Sequence, residues 1–165
     1  LYTNMAITPK VDIDSIYAKT FHRMSFSNQV IITRKFGERF SLALIPTVQH
    51  RNAIKLAVNP ANGAEDENTL YALGFGVKYQ LSKLVSFTAE YLNVFSDYRK
   101  DNTVLPYYMP LAIGVELNTG GHLFQLNFAN SSGIAENDLV PEGADSWSDG
   151  GFKFGFTISR VFKLK

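Results

Sequence analysis

Cysteine is absent from the 165-residue chain, which excludes disulfides, thiolate metal sites and cysteine nucleophiles together. Long hydrophobic runs are missing as well: nowhere do about 18 apolar residues follow one another, as a membrane-spanning helix requires. Neither sign of charge is in surplus, with 16 Lys and Arg against 15 Asp and Glu, so there is no basic footprint for nucleic acid. Only three histidines and one tryptophan occur, a thin supply of acid–base and metal-ligating groups. The chain opens on Leu1 with neither an initiator Met nor a signal peptide, as expected of a mature protein or a fragment of one. Its length suits a single domain.

What is present is alternation. Phe152, Phe154, Phe156, Ile158 and Phe162 fall on one face of a segment whose other face carries Lys153, Gly155, Thr157 and Ser159. Period two puts successive side chains on opposite sides of a strand. The polar face is built of Gly, Ala, Ser, Thr, Asn and Gln with few charges. A soluble sheet shows water a face rich in Lys and Glu, whereas a small barrel interior needs compact hydrogen-bonding groups. The apolar face is therefore expected to meet lipid and the polar face to look inward. A mean hydropathy of -0.05 is compatible with this, because a barrel hides its hydrophobicity in alternate positions.

Eight such strands are expected, over residues 1–8, 24–36, 40–50, 69–81, 84–95, 110–118, 121–131 and 149–163. The clearest sets Tyr71, Leu73, Phe75, Val77, Tyr79 and Leu81 against Ala72, Gly74, Gly76, Lys78 and Gln80. Tight turns at 37–39, 82–83 and 119–120 alternate with long polar connections at 9–23, 51–68, 96–109 and 132–148. Short periplasmic turns and long extracellular loops follow that pattern in outer-membrane barrels. The predicted fold class is all-β, an antiparallel up-and-down transmembrane β-barrel, with the long loops outside and both termini periplasmic. Phe36, Phe40, Tyr79 and Phe162 at one end, and Tyr91, Phe95, Tyr107 and Tyr108 at the other, sit where interfacial aromatic girdles form.

Several stretches carry a family resemblance: residues 34–42, 46–52 (Pro-Thr-Val-Gln-His-Arg-Asn), 71–76 (Tyr-Ala-Leu-Gly-Phe-Gly), 114–126 and 154–162. The most specific part is Thr119-Gly120-Gly121-His122-Leu123-Phe124-Gln125. The chain resembles an uncharacterised family of Bacteroidota outer-membrane β-barrel proteins, a domain of unknown function. The resemblance implies a larger barrel of about twelve strands in which Leu1 is internal. It implies no activity, substrate or catalytic residue. Arg160-Val161-Phe162-Lys163-Leu164-Lys165 resembles the C-terminal signal of inserted barrels, with Lys-Leu-Lys following the aromatic residue.

Possible chemistry is sparse. His22 falls in or near the first long connection, and His50 and His122 fall at opposite ends of the barrel in this topology, so no shared metal site and no other cofactor is expected. Ser41 and Ser131 lack any nucleophile signature. Lys35, Lys78, Glu90, Glu116 and Lys153 are expected to point into the lumen, where a charge needs a partner. They would form a structural ion-pair network or a selective constriction. Glu65, Asp66 and Glu67, with Asp138, Glu142, Asp145 and Asp149, lack calcium-loop spacing and are expected to solvate loops. Trp147 is a possible loop contact for a ligand or partner, or packs its own loop. The expected partners are the outer-membrane bilayer and other outer-membrane proteins or lipoproteins. The leading function is a non-catalytic structural or accessory barrel, followed by a passive or selective pore. A lipid-acting membrane enzyme and a soluble ligand-binding barrel remain alternatives.

Overall fold

The computed structural model describes residues 1–9, 16–133 and 135–160. They contain strands β1 (Tyr2–Ile7), β2 (Met24–Gln29), β3 (Ile32–Phe36), β4 (Phe40–Arg51), β5 (Thr69–Gln80), β6 (Val85–Phe95), β7 (Leu111–Asn118), β8 (His122–Ala129) and β9 (Lys153–Arg160). All pairings are antiparallel, and the sheet runs β1-β2-β4-β5-β6-β7-β8-β9, with β3 also on β4. Among the described residues β1 pairs only with β2 and β9 only with β8, so the sheet is a half-barrel with two open edges.

The strand expected over 24–36 is interrupted. Gln29 faces Thr47 and Ile32 faces Leu44, an equal step on both strands, so the register does not slip at the gap. The cause is Pro46. Val30 N–H donates to its carbonyl at 3.1 Å, but proline has no N–H to return the bond. With β2 and β3 taken as one broken strand, the eight expected strands are all present. The last starts later than expected, at Lys153, and is described to Arg160; its expected continuation from Val161, including Phe162 and the rest of the closing signal, lies outside the described residues. Residues 10–15 of the first long connection also lie outside them, while Thr20–Arg23 form a 3-10 turn.

The faces are divided as the alternation demands. On the convex side Phe75, Phe87, Val115, Leu126, Phe156 and Ile158 are exposed. On the concave side Ser27, Thr47, Gln49 and Glu116 are buried. A water-soluble protein buries its large apolar side chains, and this sheet does the reverse. Lipid against the convex wall resolves the inversion.

One element departs from the expected loops. Within 132–148 the chain forms helix α1 (Glu136–Glu142), which folds back over the concave face to touch β1, β2, β4 and β5. Val140 of α1 is fully buried against Leu70, Ala72 and Val94, flanked by Leu92, Tyr107 and Met109. This small apolar cluster closes the long-loop end of the half-barrel, and burying the Val140 side chain contributes about 1.5–3 kcal/mol.

Candidate functional site

The unusual feature of α1 is how its carbonyls are satisfied. The last carbonyls of any helix lack intrahelical donors, and Pro141 inside this one withdraws a further N–H, the one that Asn137 O would have received. The barrel supplies the replacements. Gln49 Nε2 on β4 donates to Asn137 O at 2.8 Å, Tyr107 OH to Val140 O at 2.7 Å, and Arg99 Nε to Pro141 O at 3.1 Å. Gly143 closes the helix through its N–H to Leu139 O, with φ +68. On the other side Asn137 Nδ2 donates to Ser25 Oγ at 2.9 Å, and Tyr2 OH to Glu136 Oε2 at 3.3 Å. Burial pushes the Tyr107 hydroxyl up, which keeps it a protonated donor.

Behind the helix lies an ionic lock. Arg99 and Arg51 both donate to Asp66 Oδ1, at 2.8 and 3.0 Å. Arg99 Nη1 is also 3.5 Å from Glu67 Oε2, which accepts from Ser96 Oγ at 2.7 Å. Arg51 Nη2 reaches Glu67 O at 2.6 Å, and the Arg99 guanidinium lies 5.5 and 5.7 Å from the ring centres of Tyr98 and Tyr107. Two cations thus meet two carboxylates, with Arg99 only 7% exposed. Pairing and hydrogen bonding are what make buried charge tolerable, and among the described residues Arg51 Nε is the one buried atom of these two arginines and two carboxylates left without a partner. The lock ties the end of β4 and the connections after β4 and β6 to the C-terminal end of α1.

Two cavities flank the helix. The outer one, about 550 Å³, is lined by Arg51, Asp66, Arg99, Asn137, Pro141 and Glu142 among others. The inner one, about 410 Å³, is lined by small wall residues such as Ala43, Gly74, Gly76 and Ala112, with Glu90, Glu136 and Leu139. Helix α1 is the wall common to both.

Of the five charges expected on the concave face, Lys78 and Glu116 are ion-paired to each other, and Gln125 Nε2 donates to Glu116 Oε1 at 2.8 Å. Lys153 pairs with Asp145 of the last long connection, not with another wall charge. Among the described residues Lys35 and Glu90 make no ion pair, because the cross-strand neighbours of Glu90 are Gly76 and Ala112 and Lys35 faces Ser41. The expected five-member network is therefore one wall pair, one wall-to-loop pair and two separate charges. Glu116→Gln should accordingly lower barrel stability by about 1–2 kcal/mol, whereas Glu90→Gln should leave it unchanged. Heat-modifiable electrophoretic mobility of the two variants checks this, and equal melting shifts would contradict the assignment.

The other expected positions resolve as follows. Trp147 stacks on Phe152, with ring centres 5.8 Å apart, and Phe152 meets Phe128 at 6.3 Å, so Trp147 packs its own loop against wall aromatics. Tyr107 is not a girdle residue, since it turns inward beneath α1 to reach Val140 O. His50 Nδ1 is 2.8 Å from Thr69 Oγ1 at the long-loop end, while His122 lies beside Phe124 at the short-turn end of β8. No group of three or more His, Cys, Asp or Glu among the described residues is placed to hold a metal. Asp66 and Glu67 answer arginines rather than solvate a loop. Arg99, Gln49 and Asn137 were not singled out from the sequence, and Tyr107 only as a girdle aromatic. The nearest sequence signal was Pro141 followed by Gly143 in a polar connection, which marks a helix end.

No curated protein and no solved structure matches the chain. A family model described as a membrane bound beta barrel domain (DUF5777) matches residues 1–162. Its description agrees with the inside-out sheet, whose apolar wall is satisfied only by lipid. The chain belongs to this DUF5777 family of membrane bound beta barrel domains.

Proposed function

We propose that the protein is an outer-membrane barrel with a structural or accessory role in an outer-membrane assembly and no catalytic activity. Its long connections are extracellular and its short turns periplasmic, by the length asymmetry of such barrels. Both open sheet edges have to be covered in lipid, and the further strands of a larger barrel would cover them.

The carrying observation is the surface at the long-loop end. The connections after β4 and β6 are held together by Asn59 Nδ2, which donates to Tyr98 O and Lys100 O at 2.9 and 2.7 Å. Asn62 Nδ2 adds a bond to Asp97 O at 2.8 Å. These braced loops nevertheless present Leu56, Val58, Val104 and Leu105 to solvent, Leu56 at 84% and Val104 at 71% exposure. Exposed apolar side chains on a soluble surface mark interaction sites, and a pre-ordered surface loses little entropy on binding. The partner that fits is another outer-membrane protein or a lipoprotein.

The test is extraction from native outer membranes in mild detergent, comparing wild type with a Leu56→Ser/Leu105→Ser variant. Stoichiometric companions in the wild type that are lost from the variant, with barrel melting unchanged, are expected. A wild-type barrel that elutes alone, or companions indifferent to the substitutions, would contradict the reading.

A further inference from the structure

We infer that α1 is a gate: seated, it divides the lumen into the two cavities, and unseated, it joins them into a path for small cations. The inference does not depend on the partner reading, because every group involved lies inside the half-barrel.

Three observations carry it. The first is partition. Asn137, Asp138, Pro141 and Glu142 line the outer cavity, while Glu136 and Leu139 of the same helix line the inner one. Spaces of about 550 and 410 Å³ therefore meet at α1, seven residues long, and at the apolar cluster it completes through Val140. A barrel filled solidly by side chains would leave neither space.

The second is the quality of the seat. Ser27 Oγ, Gln49 Oε1 and Asn137 Oδ1 are buried at or beside the contact between α1 and the wall, and none of them has a hydrogen-bond partner among the described residues. Ser27 and Gln49 are paired across β2 and β4, and Asn137 is 94% buried by its 6% exposure. Each is a polar atom whose hydration is surrendered when the helix docks. Water recovers those interactions when the helix lifts. The donors from Gln49, Tyr107 and Arg99 and the burial of Val140 oppose lifting, so the seated state wins by a margin smaller than its contacts alone suggest. The helix has seven residues, too few to persist alone, and its docking is set by these tertiary bonds.

The third is charge. Among the described residues the only charged ones lining the inner cavity are Glu90 and Glu136. Glu136 accepts from Tyr2 OH, and Glu90 has no ion-pair partner among the described residues. The neighbouring Lys78–Glu116 pair is neutral overall and Lys153 is neutralised by Asp145. Among the described residues the opposing cations are Lys35, on β3 towards the short-turn end, and Arg23, Arg51, Lys55 and Arg99 of the outer cavity, which also carries Asp66, Asp138 and Glu142, so the cation preference is assigned to the inner cavity. A carboxylate facing a confined aqueous space raises the local cation concentration.

The chain contains no cysteine, so an engineered pair is unambiguous. In the full-length protein reconstituted in planar bilayers, Ser25→Cys/Asn137→Cys joined by a short bifunctional thiosulfonate would hold α1 on the wall. Linked protein should be silent, and reductant should restore transitions to an open state. A second variant, Gln49→Ala/Val140→Ala, weakens the seat without touching the cavity carboxylates. Its open probability should rise roughly tenfold, the effect expected when one hydrogen bond and part of one buried side chain are removed. Under a potassium chloride gradient Glu90→Gln should shift the reversal potential towards zero. Conductance equal in linked and reduced protein, or none in the weakened variant with normal heat-modifiable folding, would overturn the gate. An unchanged reversal potential in Glu90→Gln would overturn the cation preference.

Discussion

Arg99→Ala should destabilise the loop end of the barrel by about 3–5 kcal/mol, the loss seen when one partner of a buried ion pair is removed. Among the described residues the substitution leaves Asp66 with Arg51 and the Glu67 carboxylate with Ser96 Oγ, and it strips the donor from Pro141 O at the end of α1. It also removes a planar cation from beside the Tyr98 and Tyr107 rings. Arg99→Lys should recover less than half of the loss. An ammonium keeps the charge but cannot reach Asp66, Ser96 and Pro141 O at once, as the guanidinium fork does. Limited proteolysis in detergent is the direct readout: cleavage after β4 and β6 should accelerate while the strands stay protected. Unchanged loop cleavage in Arg99→Ala would mean that the lock contributes nothing to loop order.

Gly143→Ala should unseat α1. Gly143 adopts φ +68 and ψ -142, a region that side-chain-bearing residues occupy at a cost of roughly 1–3 kcal/mol. The added Cβ would also stand 2.5 Å from the Tyr107 ring, so the ring that donates to Val140 O has to move. Strain and displacement together should amount to about 3 kcal/mol. The informative comparison is Gly37→Ala in the turn between β3 and β4. Gly37 has φ +69 but nothing within 4 Å of its would-be Cβ, so only the backbone strain of about 1 kcal/mol applies there. Amide exchange at Leu139 and Val140 should rise in the first variant and not in the second. Equal exchange in both would remove Tyr107 from the account.

The strands were legible because lipid on one side and a narrow lumen on the other impose a strict period of two. Tyr71 to Leu81 against Ala72 to Gln80 is that constraint written in residues. The long and short connections were legible from chain length, since the tight turns around Gly37 and Gly120 lie at one end of the strands and the long connections at the other. The break at Pro46 was not, because proline keeps its outward place in the alternation while removing one ladder donor. Helix α1 was hidden for a different reason. It has seven residues with a proline inside, its apolar content is Leu139 and Val140, and its stability comes from donors on Gln49, Tyr107 and Arg99 far away in sequence. Loop charges read as solvated unless their partners are known, and Asp66 meets Arg99 across 33 positions of chain. Tyr107 was assigned to the girdle by position, but its hydroxyl is required inside.

The central claim is that the apolar convex wall meets lipid while the concave face holds water and α1. Single cysteines in this cysteine-free chain, at Phe75, Val115 and Leu126 on one face and at Gly76, Ala112 and Gln125 on the other, would each carry an environment-sensitive fluorophore in reconstituted vesicles. Brominated acyl chains should quench the first three strongly and the last three weakly, with the reverse order for aqueous iodide. Quenching by bromolipid at Gly76, Ala112 and Gln125 instead, or at none of the six, would contradict the assignment of faces and with it the membrane-facing wall.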